Sequence, residues 1–339
     1  MQNGGISNNS KQVLMIKISI HFYFRVNINR CNPCAREVQS PRKRHSLTSS
    51  FYDTIIQKIR QMGDTVSRST RENYLTALRS LCRFAGSNLC VDDIDHALLR
   101  RYERWLHDRG ISRNTSSCYM RSLRALLGKA SNINSESLFK GIFTGRCTTE
   151  KRSVNEKTVS QLKETQLPPD SPLALVRDLF LFSFYAQGMP FVDMAFLKRQ
   201  QISGGQLVYH RHKTGTRITV SMLPCIQQIL KRYESSSSNY VFPLLRSTDV
   251  QTAYNEYLVK LNWYNRSLKQ LARFAGIDGR LTSYTARHSW ATTAYHSNVD
   301  LPVISKALGH SNPQTTLTYL REVDDHRLVE ANRRIAHSI

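Results

Sequence analysis

The spacing of apolar residues divides the chain into stretches of different period. Ile16, Ile18, Ile20, Phe22, Phe24 and Val26 alternate with other residues, the two-residue period of a half-buried strand. From about residue 46 the period lengthens to that of helices, and four amphipathic helices are predicted, over about 48–62, 69–85, 91–109 and 113–130. The first carries Phe51, Ile55, Ile56 and Ile59 on one face, with Gly63 past its end. The second carries Tyr74, Leu75, Leu78, Leu81 and Phe84, with Ser69 or Thr70 as cap and Gly86 following. Ile94, Leu98, Leu99, Tyr102, Trp105 and Leu106 mark the third, before Gly110; Met120, Leu123, Leu126 and Leu127 mark the fourth.

Residues 132–157 have little apolar periodicity and carry Lys140, Arg146, Lys151 and Arg152, which reads as a linker between domains. Asn155 opens a helix through Leu162, and the Pro168–Pro172 stretch breaks the chain. Leu173 to Tyr185 is apolar nearly all round and is expected to be a central helix. Leu207–His210 and Arg217–Val220 read as strands joined through His212-Lys213-Thr214-Gly215, a β-hairpin. Helices are expected over about 223–234, over about 249–275 with room for an interruption, and over about 325–336. The fold class is mainly α with a small β-sheet or hairpin. The division is a tail or partial module over 1–45, a helical domain over 46–131, a linker over 132–154 and a second, α+β domain over 155–339.

Composition adds the partner. Lysine and arginine outnumber acids 48 to 25 in 339 residues, for a net charge of +23, and they are spread along the whole chain. Such a balance points to a polyanion, nucleic acid. The seven cysteines are odd in number and irregular in spacing outside Cys31-x-x-Cys34, which argues for free thiols in a reducing, cytoplasmic setting. No second such pair completes a zinc site, so no metal is expected. The best apolar run, Val13 to Val26, is broken by Lys17 and Arg25, too short and too charged for a membrane helix.

Chemistry concentrates between Ser283 and Tyr319. Tyr284-x-x-Arg287 is followed by His288-Ser289-Trp290-Ala291, then Leu308-Gly309-His310-Ser311, and nine residues after His310 comes Tyr319, behind Thr315-Thr316-x-Thr318. A guanidinium can fork onto two phosphate oxygens, an imidazole can donate a hydrogen bond or move a proton, and a phenol can attack phosphorus. In order and spacing this stretch resembles the C-terminal signature of the tyrosine recombinases, the phage-integrase type of site-specific recombinase, and the likeness extends over about residues 46–335.

That resemblance implies a helical core-DNA-binding domain followed by a catalytic domain. It implies cutting and rejoining of duplex DNA through a 3′-phosphotyrosyl intermediate, without metal or nucleotide cofactor. Tyr319 would be the nucleophile, Arg287 a clamp on the scissile phosphate, and His310 a hydrogen-bond partner of a non-bridging oxygen. Lys213, in a hairpin that reads Lys-Thr-Gly as many family hairpins do, would be the general acid. Tyr284 replaces the usual histidine of the second motif, a variant found in relatives of the Bacteroides type. His288 and Trp290 read as structural neighbours, and Asp193 as an acid that orients a helix start. Arg113, Arg121, Arg124 and Arg152 are candidate DNA-phosphate contacts, with Arg68 and Arg71 on the same helical domain. The implied partners are double-stranded core sites, further copies of this chain (a dimer on a site, a tetramer in synapse) and an accessory DNA-bending or directionality factor.

One departure matters. Aligning Gly188 and Asp193 with the family pattern puts Pro190 where the first catalytic arginine belongs. Relatives that read Gly-Met-(Ser or Pro)-Phe-Val-Asp place an arginine just before that glycine, and here the residue is Gln187. Gln187 can donate a hydrogen bond to phosphate but brings no charge. Either a cation nearby in sequence (Arg199, Arg211 or Arg217) compensates, or the chain is a slow enzyme or a DNA-binding protein that no longer cuts.

Overall fold

The computed structural model describes residues 51–86, 89–130, 135–147, 153–234, 238–310, 312, 314–317, 332–333 and 335–337. The strand expected over 16–26, Cys31, Cys34, Arg152, Tyr319 and most of the helix expected over 325–336 lie outside them. The chain falls into two compact units that meet between Arg146 and Cys147.

In the first unit, helices α1 (Phe51–Gln61), α2 (Arg68–Ala85), α3 (His96–Asp108) and α4 (Arg113–Ala130) are followed by the single turn α5 (Ser135–Leu138). Their apolar stripes close on one core in which Phe51, Ile55, Leu78, Leu81, Leu99, Tyr102, Met120 and Leu123 are fully buried. Helix α3 begins five residues later than its periodicity predicts. Val91–Asp93 is a separate 3-10 turn, closed by Asp93 Oδ2 accepting Cys90 N at 2.9 Å, and Asp95 then caps α3 by accepting Leu98 N at 2.6 Å. Two short acidic side chains competing for backbone amides split what hydrophobic spacing alone reads as one helix. Part of the stretch read as linker belongs to this unit. Leu138, Phe139 and Ile142 are buried in its core, the half-exposed His96 places Nδ1 3.0 Å from Leu138 O, buried Glu103 accepts Phe143 N at 3.2 Å, and Ser117 Oγ donates to Gly145 O at 2.6 Å.

The second unit opens with α6 (Glu156–Glu164), capped by Asn155, and α7 (Pro172–Tyr185), capped by Ser171. Helix α7 is central, as its apolar circumference requires. It packs against α6 and, as the chain proceeds, against α9 (Pro224–Lys231), α10 (Val250–Phe274) and α11 (Thr285–His296). Its one buried acid, Asp178, is satisfied by Arg232 Nη1 at 2.7 and 2.8 Å, Tyr233 OH at 3.0 Å and Arg177 Nε at 3.1 Å. Between α7 and α9 lie the short α8 (Phe191–Ala195) and an antiparallel sheet of β1 (Ile202–Ser203), β2 (Gln206–His210) and β3 (Arg217–Ser221), in that order. The hairpin matches the expectation; β1 is too short to show in the sequence. Leu207 and Tyr209 pair with Val220 and Ile218 and face the core. Helix α10 runs unbroken for 25 residues. After α11 come α12 (Leu301–Leu308) and α13 (Gln314–Leu317). Gly309 ends α12 in the left-handed region at φ 64°, and His310 N reaches back to Ser305 O at 3.0 Å. This is a glycine-dependent helix stop.

Candidate active site

The site is assembled where the first turn of α11, the C-terminus of α12 and the β2–β3 turn converge. Arg287, in the first turn of α11, is 2% exposed. Its Nη1 donates to Gly188 O at 2.9 Å and its Nη2 to Leu308 O at 2.6 Å, with His310 Nε2 at 3.1 Å from the same Nη2. Gly188 makes this approach possible: at φ 69° it lies so close that a Cβ there would stand 2.9 Å from Arg287 Cα.

A second buried guanidinium meets the first. Arg211, just past β2, donates from Nη1 to the same Leu308 carbonyl, and its Nε lies 2.8 Å from Asp193 Oδ2, an ion pair too bent to count as a linear hydrogen bond. Gly309 makes room for it, since a Cβ at that position would stand 3.2 Å from Arg211 Cγ and 2.8 Å from Ile218 Cδ1. The last carbonyl of a helix carries partial negative charge and lacks a helical partner, which suits it to accept two cations. The expectation that Asp193 orients a helix start is corrected here. Its Oδ1 accepts His212 N at 2.8 Å and its Oδ2 pairs with Arg211, so it ties the β2–β3 turn to α8 instead.

His310 is half-buried beside these cations. Burial first, then Arg287, Arg211 and Lys213, lower its pKa from 6.5 to about 4. The ring is therefore neutral at pH 7. An arginine can only donate, so Nε2 must be the acceptor of that contact, and the proton sits on Nδ1, 2.8 Å from the buried Thr316 Oγ1.

The other candidates are placed as follows. Lys213 is exposed in the turn between β2 and β3, which closes through Gly215 N to Arg211 O at 2.8 Å, and its charge reaches His310. Tyr284 precedes α11, is 44% exposed, and rests its ring on His288 with centroids 5.9 Å apart. Gln187 is half-buried at φ 59°, directly before the glycine that holds Arg287, and Pro190 starts α8. Of the neighbouring cations, Arg199 spends its guanidinium on Ser238 O and Tyr233 O, and Arg217 is exposed on β3, whereas Arg211 reaches the site. On the first unit Arg113 lies over Phe143 at 4.2 Å and Arg124 faces Glu136 at 3.9 Å, while Arg121 is exposed.

Sequence reasoning left Arg211 as one of three possibilities and missed Leu308 altogether. The signal for Arg211 was the strand alternation: Leu207 and Tyr209 face inward, and two residues further the inward position is an arginine. A backbone carbonyl leaves no such trace.

Known proteins resemble this chain in sequence and in fold. The pattern of the phage integrase family matches residues 152–326, and that of the phage integrase SAM-like domain matches residues 50–135. The chain belongs to the phage integrase family, the tyrosine recombinases: DNA breaking-rejoining enzymes that carry out site-specific recombination. Tyrosine recombinase XerD of Shewanella oneidensis is 24% identical over 266 residues, covering 75% of this chain and 86% of that one. Among solved structures, the Tn1549 transposon integrase in complex with transposon right end DNA shares the fold with a TM-score of 0.62 at 14% identity, over 85% of this chain and 100% of that one. A lambda integrase dimer bound to a COC′ core site does so with a TM-score of 0.63 at 14% identity, over 81% and 98%. Among the described residues no helix is long and apolar enough to cross a membrane.

Proposed function

We propose that this recombinase cuts duplex DNA with Tyr319 at the site built around Arg287. The phenolic oxygen of Tyr319 forms a bond to phosphorus while the bond to the 5′-oxygen breaks. The phenol's proton passes to water, and the departing oxygen takes one from the Lys213 ammonium. A 3′-phosphotyrosyl link and a free 5′-hydroxyl result, and the reverse step rejoins strands without ATP. Arg287, itself buried, clamps non-bridging oxygens as a fixed cation. His310 bonds a non-bridging oxygen once its proton lies on Nε2, and Tyr284 adds a phenolic donor at the exposed end of α11.

The observation that carries this reading is the buried Arg287, held between the carbonyls of Gly188 and Leu308 with His310 against it. A guanidinium and an imidazole brought together from different parts of the chain, with the exposed Lys213 nearby, form the donor set that a phosphate needs. The same intact set opposes the reading as a protein that binds DNA but no longer cuts. Residues 46–131 would clasp the duplex through Arg113, Arg121 and Arg124, and Arg152 in the connecting stretch would track the backbone. Gln187 would donate an amide hydrogen bond to phosphate. Dimers would occupy core sites and tetramers would form the synapse, in the cytoplasm, with an accessory DNA-bending or directionality factor. Tyr284 and the run Gly188-Met189-Pro190-Phe191-Val192-Asp193 support placement with the Bacteroides-type enzymes.

The test is covalent trapping. The full chain is incubated with nicked duplexes taken from beside its own gene, and denaturant-stable protein–DNA adducts are scored. An adduct that disappears in Tyr319→Phe is expected; demonstrated binding without any adduct overturns the proposal.

A further inference from the structure

We infer that Thr316 is a positioning residue for the cleavage reaction: its hydroxyl lets His310 exchange one neutral tautomer for the other as a phosphate enters. The inference rests on the proposed role of His310 toward a non-bridging oxygen and adds a residue to which that reading gives no part.

Arg287 Nη2 carries two hydrogens. One serves Leu308 O at 2.6 Å and the other His310 Nε2 at 3.1 Å. A guanidinium only donates, so in the free protein Nε2 accepts and the ring carries its proton on Nδ1. A phosphate oxygen reverses the demand. It only accepts, so it needs an N–H on Nε2, and a neutral ring that supplies one has a bare Nδ1. The group facing Nδ1 must therefore serve both forms.

That group is Thr316 Oγ1, at 2.8 Å. Thr316 is fully buried on α13, which packs back on α12. A backbone carbonyl or a carboxylate in its place would hold the proton on Nδ1, because each only accepts; a backbone amide would hold it on Nε2. A hydroxyl accepts from Nδ1–H in one form and, by turning about its C–O bond, donates to the bare Nδ1 in the other. The contact between Nδ1 and Thr316 thus survives the change, and no buried partner is left unpaired by it. Protons balance through water: Nε2 takes one up, Nδ1 gives one up, and the ring is neutral before and after. Burial and the neighbouring Arg287, Arg211 and Lys213 disfavour imidazolium and so support the two neutral forms.

Two rival accounts exist: Thr316 merely fills space under the ring, or the ring binds DNA as imidazolium. Nitrogen NMR of full-length protein with isotopically labelled histidine separates them, since the two neutral tautomers and the cation give different ring signals. The measurement uses Tyr319→Phe at mildly alkaline pH, free and with the nicked duplexes taken from beside its own gene, and His310 is assigned by its absence in His310→Gln. The expected result is a proton on Nδ1 alone in the free protein and on Nε2 alone in the complex. The same tautomer in both states, or a doubly protonated ring in the complex, overturns the inference. Two substitutions then test the hydroxyl, with melting curves to confirm the fold. With Tyr319 in place, Thr316→Val keeps the shape, loses the hydrogen bond, and should slow adduct formation about five- to tenfold at unchanged DNA affinity. Thr316→Ser keeps the hydroxyl and should recover most of the rate. An undiminished rate in Thr316→Val, or a Thr316→Ser as slow as Thr316→Val, overturns the role of Thr316. If wild type binds DNA and forms no adduct, the cleavage reading falls, while the tautomer in the Tyr319→Phe complex still decides this inference.

Discussion

Acidification should destabilise the catalytic unit through His310, and the size of the effect follows from the site. In the unfolded chain this imidazole titrates near its ordinary value; folded, burial and the charges of Arg287, Arg211 and Lys213 bring it from 6.5 to about 4. Between those two values the unfolded chain binds the extra proton and the folded chain does not. The contribution is therefore fully present above pH 6.5 and is lost as pH falls toward 4. Counted in full, such a shift is worth about 3 kcal/mol, but the ring is only half-buried and screening reduces this to about 1–2 kcal/mol. Urea unfolding of wild type and His310→Gln, followed from pH 7.5 to pH 4.5, isolates the term as the pH-dependent difference between them. The ring proton of His310, assigned by its absence in the variant, gives the same answer by NMR. A ring that titrates near 6.5, or identical pH profiles for the two proteins, would refute the electrostatic account of the site. Duplex DNA would bring a phosphate anion beside these cations, so binding should raise the His310 pKa.

Two further predictions concern how the site is held. Gly188→Ala combines a left-handed backbone with a Cβ 2.9 Å from Arg287 Cα, and should cost about 2–4 kcal/mol in urea unfolding while slowing adduct formation. Asp95→Ala removes the cap that starts α3 and should lower stability by about 1 kcal/mol, with the cleavage rate per DNA-bound protein unchanged.

Periodicity made α1–α4, α9 and α10 legible because each presents an apolar stripe, and α7 stood out because it is apolar nearly all round, whereas α8, α11 and α12 were not read as helices. It failed where polar side chains act on the backbone: Asp93 and Asp95 divide 91–109 into a turn and a helix, and no hydrophobic pattern records that. It also failed at Leu138, Phe139 and Ile142, too few and too closely spaced to show a period, which nonetheless bury themselves in the first unit. Within the site, motif spacing singled out Arg287 and His310, which the fold brings into contact although they stand 23 positions apart. Asp193 was legible as structural, yet its partner was not. A carboxylate on α8 and an arginine beyond β2 become neighbours only through tertiary packing, and the sequence between them gives no sign of it.

The shared carbonyl of Leu308 makes the length of α12 a functional quantity. Each residue of a helix turns its carbonyl by roughly 100°, so inserting or deleting one residue between Leu301 and Leu308 would swing that oxygen away from both guanidinium groups together. Side chains along α12 can vary so long as Ile304 and Leu308 keep their apolar contacts, but the number of residues cannot. Divergence of this segment should therefore proceed by exchange of residues and not by gaps, with Gly309 as the fixed stop from which the register is measured.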